Sequence, residues 1–202
     1  MEYYIHAEKF FLGSNVEMGG YLQVVDGKFG RYQKNQPDGD IVEYSDKWIA
    51  PGLVDTHIHG LLNHDVMDAS AEGIEAMANG LLKCGVTSWL PTTLTASSEQ
   101  LKEVVQVISK NLDHFEGAKV QGIHFEGPYY TEKHKGAQNP KYFENPSIEE
   151  FHEWQAAANG MIRKISIAPE RDGAVEFTAQ ISSEGVTVAL GHSDATFEQA
   201  KT

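Results

Sequence analysis

Two histidines, His57 and His59, stand one residue apart in Ala50-Pro51-Gly52-Leu53-Val54-Asp55-Thr56-His57-Ile58-His59-Gly60. Side chains alternate along a strand, so Asp55, His57 and His59 share one face and Val54, Thr56 and Ile58 the other. Two imidazoles so spaced at the C-terminal end of a strand can converge on one metal ion. Glu126, in Ile123-His124-Phe125-Glu126-Gly127-Pro128, falls where a second apolar run yields to a loop. It reads either as a metal ligand or as a loop carboxylate paired with Lys133 or Lys135. His124 shares its face and takes a supporting or packing role, since deeper positions are filled by side chains. His192 follows the run Val188-Ala189-Leu190-Gly191 and emerges at the same rim. Nitrogen and oxygen donors from three strands thus meet on one face. Zinc, iron and manganese all suit such donors. An ion held there can acidify water and polarise a carbonyl, which is what amide hydrolysis demands.

From Ala50 onward, short apolar runs alternate with helical periodicity, the pattern of repeated βα units around a parallel sheet. Strands are expected at Leu53–Ile58, Val86–Leu90, Lys119–His124, Lys164–Ile167 and Val186–Leu190. Ile74, Met77, Ala78, Leu81 and Leu82 form one helical stripe, and Leu101, Val104, Val105, Ile108 and Leu112 another. Ser97 with Gln100, Ser147 with Glu150, and Thr196 with Gln199 are helix-start pairs. A further helix is expected around Val175 to Ser183. Barrel active sites occupy the C-terminal ends of the strands, where His57, His59, Glu126 and His192 fall. The fold class is therefore α/β, a partial (β/α)8 TIM barrel of about five βα units over residues 51–202. Eight units of roughly 30 residues need about 240, and the helix opened by Thr196 has barely begun at Thr202, so the barrel is expected to be truncated. An open doubly wound sheet would carry a Gly-rich phosphate fingerprint after its first strand, and none is present.

Residues 1–50 read as a small N-terminal β subdomain, an incomplete sandwich. Its strands are Tyr3–Ala7, Gly20–Val25, Lys28–Tyr32 and Ile41–Tyr44, with Asp26-Gly27 as a hairpin turn.

The 202 residues carry 16 basic and 29 acidic side chains, a formal charge of −13. A phosphate backbone or an anionic membrane is repelled by such a chain, so neither nucleic acid nor membrane is an expected partner. One cysteine, Cys84, cannot form an internal disulfide, and it is expected to pack as a small hydrophobe near a helix end. The N-terminus lacks the basic and apolar regions of a signal peptide, and no run approaches eighteen apolar residues, so the expected location is cytoplasmic. His64, His114, His134 and His152 are expected on the surface. Trp89, Trp154, Tyr129 and Tyr130 are expected to pack.

Five segments together resemble the N-acetylglucosamine-6-phosphate deacetylase family of the amidohydrolase superfamily. They are Pro51 to Gly60, His124-Phe125-Glu126-Gly127-Pro128, Lys135-Gly136-Ala137-Gln138-Asn139-Pro140, Ala168-Pro169-Glu170, and Gly191-His192-Ser193-Asp194-Ala195-Thr196. The H-x-H pair indicates only the superfamily; the other segments in this order are more specific. The resemblance covers essentially the whole chain, which corresponds to the N-terminal half or slightly more of a typical member. It implies a barrel beside a β sandwich built from both chain ends, and hydrolysis of the acetamide of N-acetylglucosamine 6-phosphate to glucosamine 6-phosphate and acetate. Glu126 and His192 would be metal ligands, with His57 and His59 completing a second metal position, so that one or two ions bind. Gly136, Ala137, Gln138 and Asn139 would touch the sugar, although members often carry His where this chain has Gln138. A further His ligand, the Asp that serves as general base and acid, and phosphate-binding groups partly supplied by a second subunit of a homodimer would lie beyond Thr202. This polypeptide alone is then expected to have little activity.

Two other readings remain open. One is another amidohydrolase acting on cyclic amides, although those commonly bridge two metals with a modified lysine on a middle strand, whereas here Glu126 occupies the bridging position. The other is a metal- or sugar-binding partial barrel without catalysis, whose sheet edges would need covering.

Overall fold

The computed structural model describes residues 1–201. The chain divides into two compact units, Met1–Gly52 and Leu53–Thr202.

The first unit is built from β1 (Glu2–Leu12), β2 (Asn15–Met18), β3 (Tyr21–Val25), β4 (Lys28–Gln33) and β5 (Ile41–Ile49). β1 and β5 run well beyond the short segments expected, and β2 lies outside them. β1 pairs antiparallel with β2 through its C-terminal half and with β3 through its N-terminal half, while β5 lies parallel to it. Asp26 and Gly27, at φ 49° and 75°, make the two-residue turn between β3 and β4. A turn with both central φ positive matches the twist of the flanking strands, which is why Asp-Gly occupies it. Ala7, Phe10 and Leu22 form the buried centre of this unit.

The second unit contains β6 (Leu53–Ile58), β7 (Gly60–Leu61), β8 (His64–Asp65), α1 (Ala71–Lys83), β9 (Val86–Pro91), α2 (Ser98–Asn111), β10 (Lys119–Val120), β11 (Ile123–Glu126), α3 (Ile148–Ala157), β12 (Ile162–Ile167), α4 (Ala174–Ser183), β13 (Thr187–Leu190) and α5 (Phe197–Lys201). Its long strands are parallel and neighbour one another in chain order. β6 pairs β9, β9 pairs β10, a bridge joins Thr92 to His124, and β11, β12 and β13 follow. The expected strand at Lys119–His124 is interrupted: β10 bonds to β9, whereas β11 bonds to β12 and extends to Glu126. β7 and β8 form a small antiparallel pair that periodicity did not signal.

Helices dock by the stripes their sequence spells out. Ile74, Met77, Ala78 and Leu81 of α1, and Leu101, Val104, Val105 and Ile108 of α2, are buried in one core with Trp89, Phe125, Phe151 and Trp154. Leu82, assigned by spacing to the α1 stripe, is 45% exposed. At 100° per residue it lies about 80° round the helix from Ile74, at the margin of the buried face. Cys84 is exposed rather than packed; it caps α1 at the turn into β9, where Gly85 has φ 79°. Ser97 and Ser147 accept from the backbone N–H of Gln100 and Glu150, capping α2 and α3 as their pairs predict. Thr196 and Gln199 complete a reciprocal capping box at α5. Among the described residues no helix is long and apolar enough to cross a membrane.

Candidate metal centre

β6 and the residue after it deliver His57 and His59 to one place. Their Nε2 atoms lie 3.2 Å apart. The end of β11 brings Glu126 between them, with Oε1 3.0 Å from His57 Nε2 and Oε2 3.1 Å from His59 Nε2. The turn after β13 adds His192, whose Nε2 is 3.4 Å from Glu126 Oε1. Glu126 is 6% exposed, so the carboxylate is surrounded by imidazoles with little water. Lys133 pairs instead with Asp194 at 2.6 Å. Gly127, at φ 90°, makes the exit from β11, and a Cβ there would lie 2.2 Å from Thr95 Oγ1. Glycine is therefore required where the backbone passes under the carboxylate.

The imidazoles are oriented from behind. His59 Nδ1 lies 3.1 Å from the carbonyl of Thr92, and His192 Nδ1 lies 2.9 Å from that of His134. A carbonyl only accepts, so each Nδ1 carries a hydrogen and donates it. In the neutral ring Nε2 is then left with a lone pair aimed at Glu126. A lone pair set against a carboxylate is repulsive unless a proton or a metal ion stands between them. Three imidazolium ions around one carboxylate would repel one another, whereas one or two divalent ions satisfy every donor. His57, His59 and Glu126 each place a donor atom within 4.8 Å of the others, and the donor chemistry suits a divalent metal.

Charges respond to this packing. Burial pushes the Glu126 carboxyl up, but the hydrogen bond from His59 and the charges of His59, His57 and His192 outweigh it and hold it at about 2. The bond to Glu126 raises His59 against the effect of burial. Burial lowers His57, with Glu126 only partly opposing. His124 is fully buried, stacks edge-on against His57 at 4.9 Å, and bonds through Nε2 to Ser166 Oγ at 2.8 Å. Burial and then Lys164 push it down to about 3, so it remains neutral near pH 7 and supports the ring beside it.

The loop after β11 carries the residues expected to touch a sugar. Gly136, Ala137 and Asn139 are exposed, and a Cβ added to Gly136 would lie 3.4 Å from His192 Cε1. Asn139 accepts from the N–H of Lys141 through Oδ1 at 3.1 Å. Gln138 differs from its neighbours, being 3% exposed. Its Oε1 accepts from Thr95 N–H at 2.8 Å, and its Nε2 donates to Glu126 Oε2. The amide thus grips the carboxylate that faces the histidines. Spacing alone does not show that a glutamine in a glycine-containing loop turns inward. Tyr130, expected to pack, is buried, and its ring lies 4.6 Å from that of His192. His134, expected only as a surface residue, is exposed but holds His192 through its carbonyl. The aspartate expected as general base lies outside the described residues.

The model of the amidohydrolase family matches residues 48–195. The chain belongs to that family. Among curated amidohydrolase relatives, the N-acetylglucosamine-6-phosphate deacetylase of Vibrio furnissii is 35% identical over 187 residues, 92% of this chain and 46% of that protein. The crystal structure of N-acetylglucosamine-6-phosphate deacetylase from Pasteurella multocida superposes with a TM-score of 0.87 at 27% identity, over 100% of this chain and 53% of the other. A mutant of the Mycobacterium smegmatis N-acetyl-D-glucosamine-6-phosphate deacetylase, in complex with N-acetyl-D-glucosamine-6-phosphate, gives 0.85 at 26% identity, over 99% of this chain and 52% of the other. The amidohydrolase chain thus spans about half the length of the relatives it matches.

Proposed function

We propose that this chain contributes five consecutive βα units of a (β/α)8 barrel, with the N-terminal unit as part of a β sandwich, to a metal-dependent deacetylase. The reaction is hydrolysis of the acetamide of N-acetylglucosamine 6-phosphate to glucosamine 6-phosphate and acetate. The observation that carries this reading is the convergence of His57, His59 and His192 on the two oxygens of Glu126. Parallel strands succeeding one another in chain order support the barrel, and the names of the relatives support the substrate.

His57, His59, Glu126 and His192 would hold one or two divalent ions. When bound, such an ion supplies Lewis-acid polarisation of the amide carbonyl and a lowered pKa for water. The protein's own contribution is orientation. The carbonyls of Thr92 and His134 fix the rings of His59 and His192, and Gln138 fixes the Glu126 carboxylate. Gly136, beside His192, and its loop neighbours Ala137 and Asn139 would read sugar hydroxyls, while Gln138 holds the carboxylate. A cytoplasmic homodimer, with phosphate-binding groups partly from the second subunit, completes the reading.

Acetate release by the full-length protein, reconstituted in turn with zinc, iron and manganese, tests it. The substrates are N-acetylglucosamine 6-phosphate, its 4-epimer and a panel of cyclic amides. Turnover of the gluco substrate that a chelator abolishes is expected. Hydrolysis of a cyclic amide without acetate release from either sugar would overturn the reading.

A further inference from the structure

Glu170 lies just beyond the end of β12, on no strand that supplies a donor to the metal centre. Its Oε1 accepts from Thr131 Oγ1 at 2.9 Å and from the backbone N–H of Asp194 at 2.6 Å, and its Oε2 accepts from Ser193 Oγ at 2.7 Å. These donors belong to two loops, one following β11 and one following β13. His192 sits where the loops meet. Its carbonyl accepts from the N–H of Thr131 at 3.2 Å, and its Nδ1 donates to His134 O at 2.9 Å.

His192 also has φ 46°. A residue other than glycine is strained in that left-handed region and persists there only when its surroundings over-determine it. The residues next along the chain, Ser193 and Asp194, are those Glu170 grips. The same carboxylate holds Thr131, which in turn holds the His192 carbonyl. An ionised carboxylate accepts several hydrogen bonds without donating any, so one side chain can pin both loops.

We propose that Glu170 is a positioning residue that fixes the backbone of His192, and with it the imidazole aimed at Glu126. The inference rests on the reading of His192 as a metal ligand. Glu170 touches none of the proposed ligand side chains. Its influence passes through Thr131, Ser193 and Asp194.

Cobalt(II) titration of the metal-depleted full-length protein, followed by visible absorption, separates this role from general support of the fold. In Glu170→Ala the affinity should fall about 10- to 100-fold, the range for loss of a group that orients a ligand, and the spectrum should change as the His192 nitrogen is displaced. Glu170→Gln should restore both. Its Oε1 still accepts from Thr131 and Asp194, and its amide N–H can donate to Ser193 Oγ. If Glu170→Ala fails to fold, as judged by circular dichroism, the double variant Thr131→Val with Ser193→Ala reads the same linkage. Wild-type affinity and spectrum in the folded variant, even with a lowered melting temperature, would overturn the proposal. Failure of the wild-type protein to bind cobalt would instead overturn the metal reading, and this inference with it.

Discussion

Nε2 of His57 and Nε2 of His59 lie 3.2 Å apart, and each also lies within 3.1 Å of a different oxygen of Glu126. Two neutral nitrogens cannot both direct lone pairs at each other and at a carboxylate without a cation between them. His59, raised by its bond to Glu126, carries the proton in the metal-free protein in preference to His57, which burial lowers.

Metal binding must displace that proton. Affinity should therefore rise about tenfold per pH unit for each proton displaced, and level off only above the raised value for His59 rather than near 6.5. Calorimetric titration in buffers of different ionisation enthalpy reads the released proton directly. In the metal-free protein the sign is reversed. The His59–Glu126 pair stabilises the fold fully below about 6.5, and that contribution is lost as pH rises through the folded value. An affinity independent of pH between 5 and 8 would contradict this account.

Glu126→Gln removes the negative charge among these side chains and leaves the ring nitrogens of His57, His59 and His192 facing a neutral amide. Metal affinity should drop by more than about 100-fold, beyond the range for a group that merely orients a ligand. The pKa of His59 should also fall, which a histidine NMR titration detects. In the wild-type, metal-free protein the carboxylate contributes stability above its unfolded pKa, about 4.5, that is lost as pH falls through about 2. The variant should lack that dependence.

Gln138→Ala strands two groups at once. The buried N–H of Thr95 loses its acceptor and Glu126 loses a donor. A stability loss of about 1–3 kcal/mol follows from the unsatisfied donor, measurable by urea unfolding. Metal affinity should fall about 10- to 100-fold. A substitution that altered only the Michaelis constant for the sugar would instead favour a direct substrate contact.

Glu144 sits against Glu150 near the start of α3, and burial followed by its bond to Glu150 pushes it up to about 7. A carboxyl raised on folding opposes stability as pH rises from its unfolded value through the folded one. Glu144→Gln should therefore stabilise the protein at pH 8 and make little difference at pH 4. Equal gains in melting temperature at both pH values would show that the pair does not share a proton.

Much of this was legible in the chain because strand and helix periods are local. The stripe through Ile74, Met77, Ala78 and Leu81, the strand Leu53–Ile58, and the caps at Ser97 and Ser147 follow from spacing within a dozen residues. Leu82 and Cys84 are more exposed than local spacing implies, because the margin of a buried face depends on which neighbour covers it.

Residue type and local spacing specify the candidate side chains and the strands or strand ends that carry them: His57, His59, Glu126 and His192. How they are held depends on contacts between segments far apart in the chain. Glu126 and His192 are 66 residues apart and meet because β11 and β13 flank β12. The amide of Gln138 turns inward because Thr95 offers an N–H there, and Glu170 receives donors from two loops that only the parallel sheet brings together. Hydrogen bonds between separate loops leave no period in a sequence, since their partners are set by how the strands are ordered in space.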